Sequence, residues 1–105
     1  MVGGAIVRGH EQQWVEVKPG IFRKALRDDP ATGAQCLLFR LGPGTTYPEH
    51  GHPNGEEFYV LEGSITVDDM LLEQGDYYRT PRGERHFNHS SIGAIVLVIT
   101  PPQRQ

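Results

Sequence analysis

Apolar residues gather in short runs along this chain, and Gly, Pro and Asp clusters separate one run from the next. Trp14-Val15-Glu16-Val17 predicts a first strand, stopped at Lys18-Pro19-Gly20. Ile21 to Leu26 follows, and Asp28-Asp29-Pro30-Ala31-Thr32-Gly33 reads as the turn of a hairpin. Ala34 to Leu41 is apolar on both faces, the pattern of a strand buried between two layers. Gly42-Pro43-Gly44 ends it, and a polar segment runs from Thr45 to Gly55. Glu56 to Glu62 predicts a strand with a turn at Gly63. Ser64 to Val67 and Met70 to Glu73 form a hairpin closed by Asp68-Asp69. Asp76 to Thr80 is broken by Pro81-Arg82-Gly83, and β-branched Ala94 to Thr100 stops at Pro101-Pro102. No window places apolar residues at helical spacing. The pattern therefore predicts an all-β sandwich or barrel.

Length narrows this to one domain: 105 residues support a single core and no more. We expect its barrel over about 34–100 and N-terminal strands within 5–26. The stretch Ala5 to Val17 offers an edge strand through which two copies pair, so a homodimer is expected. The net charge is −3, and the ten Lys and Arg residues are scattered among acids. That distribution lacks the basic footprint nucleic-acid binding requires. No run approaches the roughly 20 apolar residues of a membrane-spanning helix. Met1 to His10 has no apolar core of a secretory signal, so a cytoplasmic location is expected. The single cysteine, Cys36, sits in an apolar run and reads as a buried thiol.

Candidate chemistry lies with the histidines, four of which fall in two short segments. His50 and His52 are two apart, so on a strand they face one side. Glu56 opens the next strand, and His86 must arrive from a neighbouring one. A lone His-x-His pair would be read as solvated surface residues. Together, however, three neutral nitrogen donors and one carboxylate suit a borderline divalent ion, whether Fe, Mn, Ni, Co, Zn or Cu. His89 lies at an odd offset from His86 and is expected on the opposite, exposed face. His10 is expected to be solvated. Tyr47, Glu49, Arg40, Tyr59, Tyr78 and Arg79 are further pocket candidates, while Phe58 and Val60 share the parity of Glu56 and predict apolar wall.

The spacing of glycines and a proline around these residues is more specific. It reads Gly44-x5-His50-x-His52-x3-Glu56-x6-Gly63, then Gly75-x5-Pro81-x-Gly83-x2-His86. In this the chain resembles the cupin superfamily, over nearly half its length. The resemblance implies an RmlC-like double-stranded β-helix, or jelly-roll barrel. It also implies one divalent metal ion per chain, held by His50, His52, Glu56 and His86. One departure is Ser90, where the superfamily's second motif usually ends in Asn. That position is mainly structural in the superfamily.

A longer phrase sharpens the resemblance. Trp14, Pro19-Gly20, Asp29-Pro30-Ala31-Thr32-Gly33, His50-x-His52-Pro53-x-Gly55-Glu56-Glu57 and Gly75-Asp76-Tyr77 look like the cupin-like domain of ChrR-type anti-sigma factors. That resemblance implies zinc and the sensing of an oxidative signal. These 105 residues have no room for the helical domain that grips a sigma factor, so anti-sigma activity is not expected of them. Two functions follow as expectations. One is a metal-dependent oxidoreductase of dioxygenase type, acting on a small organic molecule. The other is a non-catalytic zinc-containing sensor or regulatory module.

Overall fold

In the computed structural model residues 3–51 and 55–103 are described, apart from the side chains of Glu49 and His50. A single 3₁₀ turn, Gly9–Glu11, precedes the strands. These are β1 (Val15–Lys18), β2 (Ile21–Asp28), β3 (Gln35–Leu41), β4 (Thr45–Gly51), β5 (Glu56–Val67), β6 (Met70–Glu73), β7 (Tyr77–Thr80), β8 (Arg85–Ser90) and β9 (Ala94–Thr100). Their order is β1-β2-β3-β9-β5-β8-β4, with β6 and β7 also paired to β5. All pairings are antiparallel. The result is an all-β jelly-roll barrel of two facing layers.

Strand β5 belongs to both layers, and this makes the barrel. Its first half pairs with β7 and β9, as in Glu56↔Thr80 and Phe58↔Val98. Its second half pairs with β6 and β8, as in Ile65↔Leu72 and Thr66↔His89. A bulge between Val60 and Glu62 re-aims the strand and shifts its parity. Phe58 and Val60 point inward before the bulge, Ile65 and Val67 after it. At Gly63 the backbone has φ of 73°, and a Cβ there would overlap the Gly93 carbonyl. Only glycine meets both conditions. The turn predicted at Gly63 is thus a kink inside one long strand, because β5 passes through it from one sheet to the other.

The core lies between the layers: Ile21, Leu37, Leu41, Phe58, Val60, Ile65, Val67, Ala94, Val96 and Val98 are all buried. At roughly 25 cal/mol per Å² of apolar area removed from water, each such side chain contributes about 1.5–3 kcal/mol. Strand β3 turns one face to this core. Its other face, with Cys36 and Leu38 half-buried and Arg40 exposed, forms the outside of the barrel. The expected burial of β3 on both faces is corrected accordingly, and so is the buried thiol. Arg40 stacks instead on Trp14 and Phe22, with its guanidinium carbon 4.8 and 4.9 Å from their ring centroids.

The strands begin at Val15, later than the apolar stretch from Ala5 suggests; Ile6 and Val7 are exposed and lie in no strand. Strands β4 and β8 replace what reads as polar chain. Their inward positions hold site residues rather than Val or Ile, so the apolar alternation that marks a strand is missing there. Asp68-Asp69 closes the β5–β6 hairpin as expected, Asp68 adopting φ of 53° between paired Val67 and Met70.

Candidate metal centre

The register of β4 and β8 sets His50 opposite His86. Adjacent to them, Glu56 at the start of β5 pairs with Thr80 at the end of β7. Gly55 makes this approach possible: its φ is 83°, and a Cβ would come within 2.6 Å of the Thr80 carbonyl oxygen. A larger residue would push Glu56 away from β7. Backbone geometry thus brings three of the four predicted ligand positions to one end of the barrel. His52, the fourth, lies outside the described residues, as does the His50 side chain. Among the described residues no group of three or more His, Cys, Asp or Glu is placed to hold a metal ion.

His86 is buried, at 2% exposure. The Thr80 hydroxyl lies 3.3 Å from its Nδ1, and the Phe58 ring packs edge-on against it with centroids 5.4 Å apart. These contacts fix the plane of the imidazole. Glu56 is half-buried at the wall of a cavity of about 200 Å³. Burial pushes its carboxyl up to about 8, since a low-polarity surrounding penalises the charged form. A divalent cation at this point would supply the charge that burial otherwise denies the carboxylate. Two inward donors of these types, one of them clamped from behind, fit a metal of the borderline class.

The cavity walls are mainly apolar, from Leu37, Phe39, Leu41, Phe58, Ile65, Val96 and Val98. Polar groups on the wall are Arg23, Gln35, Tyr47, Glu56, Asn88 and Thr100. Of the pocket candidates read from sequence, Tyr47 lines the cavity, its ring edge-on to Phe39 at 6.1 Å. Arg40, Tyr59 and Arg79 are exposed on the outside instead, because the pleat gives them the parity opposite to their inward neighbours. Tyr78 is half-buried against Phe58, and the Glu49 side chain lies outside the described set. Phe58 is cavity wall and Val60 is core. Glu57 turns outward and accepts a 2.6 Å hydrogen bond from the Tyr77 hydroxyl. That bond raises the pKa of Tyr77.

His89 is off the inner face but only half exposed, with Nδ1 2.8 Å from the Thr46 hydroxyl on the outer surface. His10 is exposed. Ser90, the departure from the second motif, is fully buried and acts as a clamp. It donates to the Ser64 carbonyl at 2.7 Å and accepts from the Gly93 amide at 2.9 Å, tying β8 to the bend of β5. Sequence reasoning did not single out Thr80, Asn88, Arg23, Gln35 or Thr100. Asn88 alone carried a signal, since His86-x-Asn88-x-Ser90 puts all three on one face of a strand.

The family model for the ChrR cupin-like domain matches residues 2–103. The chain belongs to that family. This ChrR cupin-like domain is 28% identical over 87 residues to DNA damage-repair/toleration protein DRT102 of Arabidopsis thaliana, covering 77% of the chain and 27% of that protein. It is 31% identical over 87 residues to germin-like protein subfamily 1 member 5 of Arabidopsis thaliana, covering 68% and 39%. The domain thus spans well under half the length of these curated relatives. Among solved structures, an RmlC-like cupin of Ralstonia eutropha superposes with TM-score 0.86 at 20% identity, over 96% of this chain and 70% of that one. The anti-sigma factor ChrR of Rhodobacter sphaeroides, in complex with SigE, gives 0.77 at 22% over 90% and 51%. A putative acetylacetone dioxygenase of Methylibium petroleiphilum gives 0.85 at 15% over 99% and 88%. At these identities the structures establish the cupin fold of the domain.

Proposed function

We propose that this domain holds one divalent metal ion through His50, His52, Glu56 and His86 and uses it on a small organic molecule bound in the cavity. The reaction class is oxidoreductase, of dioxygenase type. The observation that carries the reading is half-buried Glu56 on the wall of a mainly apolar cavity, with buried His86 brought near it through Thr80, which pairs with Glu56 and contacts the His86 ring. The dioxygenase named among its structural neighbours supports the reaction class. Bound there, the metal would act as a Lewis acid and redox centre with positions open to substrate and dioxygen. The chain's own residues do the rest. Thr80 engages Nδ1 of His86, so Nε2 would be the nitrogen that holds the metal. Leu37, Phe58, Val96 and Val98 exclude water from the reacting molecule. Iron is the metal this reading expects, with Zn, Mn or Ni as the others the donors accommodate.

The test is metal analysis and an electronic or EPR spectrum of protein purified without a histidine tag, followed by oxygen uptake across a panel of small organic substrates. Stoichiometric iron and substrate-dependent uptake support the enzyme. Zinc alone, with no turnover, favours the second reading. In that reading the domain is a non-catalytic zinc-containing sensor or regulatory module, which membership of the ChrR cupin-like family supports. Its test is a protein partner released when the domain is oxidised. Under either reading we take the domain to be a cytoplasmic homodimer without nucleic-acid partners. Among the described residues no helix is long and apolar enough to cross a membrane.

A further inference from the structure

The inward side chains of β3, β9 and β5 stand in rows, because the ladder pairs Leu37 with Val98 and Val98 with Phe58. At one end of this sheet Gln35 pairs with Thr100. Ile99 pairs with Glu57, so the next step of that antiparallel ladder sets Thr100 beside Glu56. Neighbouring strands lie about 4.8 Å apart, which makes Gln35, Thr100 and Glu56 one polar row on the cavity wall. All three are half-buried, whereas Leu37, Phe58, Val96 and Val98 beyond them are at most 5% exposed. The polar row is therefore the rim of the cavity, and the apolar rows are its floor. Across the cavity the Tyr47 ring packs edge-on with Phe39, and the Asn88 oxygen is sealed from any occupant.

Arg23 brings a cation to this rim. It pairs with Phe39 and lines the cavity, while its neighbours Phe22 and Lys24 meet Arg40 and Trp14 on the outside. Its side chain runs along β2 to Asp28, with Nη2 3.8 Å from one carboxylate oxygen. The other oxygen of Asp28 accepts a 3.3 Å hydrogen bond from the Gln35 amide. One carboxylate thus separates the guanidinium from the rim. An ion pair this long, with side chains 34% and 50% exposed, contributes little and gives way to a better-placed anion. Guanidinium groups bind carboxylates through two parallel hydrogen bonds. At about 200 Å³ the cavity admits only a compact body.

We propose that the cavity binds a small amphiphilic carboxylate, its apolar body on the floor and its carboxylate at the rim. Arg23 takes the carboxylate in exchange for Asp28, with Thr100 beside it. This rests on reading the cavity as a small-molecule site and names the class of molecule that site takes.

The test uses the purified chain with butanoate, hexanoate, octanoate and decanoate, and with the alcohols and alkylammonium ions of the same lengths. Binding is measured by calorimetry and ligand-observed NMR, before and after chelation of metal. Affinity should rise roughly 3–4-fold per methylene until the floor is filled, then level off. Each carboxylate should bind on the order of 5–10-fold tighter than its alcohol or ammonium counterpart. Arg23→Gln should erase that advantage and Asp28→Asn should enlarge it, both leaving the gain per methylene unchanged. Nuclear Overhauser effects from the Thr100 methyl should reach the methylene beside the carboxylate. Contacts to the terminal methyl instead would overturn the orientation.

A gain per methylene without a carboxylate preference overturns this inference and leaves the small-molecule reading standing. A preference that survives Arg23→Gln overturns it as well. No binding by any probe at millimolar concentration sinks both, and this wild-type comparison decides even where a variant fails to fold. Metal content is read separately: one metal per chain with no probe bound keeps the metal centre alone, whereas the preference without metal supports the inference and sinks the metal reading.

Discussion

The hydroxyl of Thr80 lies 3.3 Å from Nδ1 of His86, and both residues are buried. Hydrogen bonds behind a metal-ligating histidine fix its ring and raise its basicity, and their loss typically weakens metal binding about 10–100-fold. Thr80→Val keeps the shape and β-propensity of the side chain and removes only the hydroxyl. The barrel should fold normally while metal affinity falls by that order, as measured by competition with a chelator. Unchanged affinity would show that Phe58 alone orients the ring.

Glu56 links stability to pH in the metal-free protein. Its carboxyl titrates near 8 when folded and near 4.5 when unfolded. Below about pH 4.5 it is neutral in both states and burial costs nothing. Between 4.5 and 8 the unfolded chain gives up this proton and the folded one keeps it, so stability falls as pH rises, by up to about 1.4 kcal/mol per unit. Above 8 the loss is complete. Glu56→Gln should therefore stabilise the metal-free domain at pH 8, by on the order of 2 kcal/mol, and abolish metal binding. Denaturation curves at pH 5 and pH 8 check this. A variant no more stable than wild type at pH 8 would contradict it.

Gly63 carries the bend of β5. Alanine there must adopt φ of 73° and displace the Gly93 backbone. We expect Gly63→Ala to cost about 2–4 kcal/mol and to lower the thermal midpoint by more than 10 °C. A drop of under 3 °C would mean that the two layers can part without penalty.

Ser90→Ala removes two hydrogen bonds that join β8 to the β5 bend and leaves the Gly93 amide without its acceptor. The expected loss is about 1–3 kcal/mol with metal content unchanged, measured by chemical denaturation and elemental analysis. Lost metal at full stability would give Ser90 a role at the centre instead.

Strand β1 pairs with β2 and exposes Val15 at 58%, while Ile6 is exposed at 74%. An open, apolar edge of this kind favours pairing with a second copy. Light scattering at micromolar concentration should give twice the chain mass. A monomer would rule the pairing out.

Much of this could be read from residue order. Turn chemistry at Lys18-Pro19-Gly20, Asp68-Asp69 and Pro81-Arg82-Gly83 marks strand ends because those backbones need particular φ values and cannot extend a ladder. The runs Ala34–Leu41 and Ala94–Thr100 announce themselves as strands by β-branched and apolar content. The motif spacing names four ligand positions, and the backbone brings His50, Glu56 and His86 to one end of the barrel. Strands β4 and β8 are signalled only by the spacing of their histidines, because inward His86, Asn88 and Ser90 leave no apolar alternation there.

What only the tertiary structure decided is which face each residue presents and what meets it there. Parity assigns alternate sides but cannot say which side is inside, and one bulge after Val60 reverses the assignment for the rest of β5. Thr80 reaches His86, and Asn88 faces the cavity, only because antiparallel partners bring distant segments to one point. The order of residues picks out candidate donors through local spacing. Their surroundings come from long-range pairing, which no local pattern encodes.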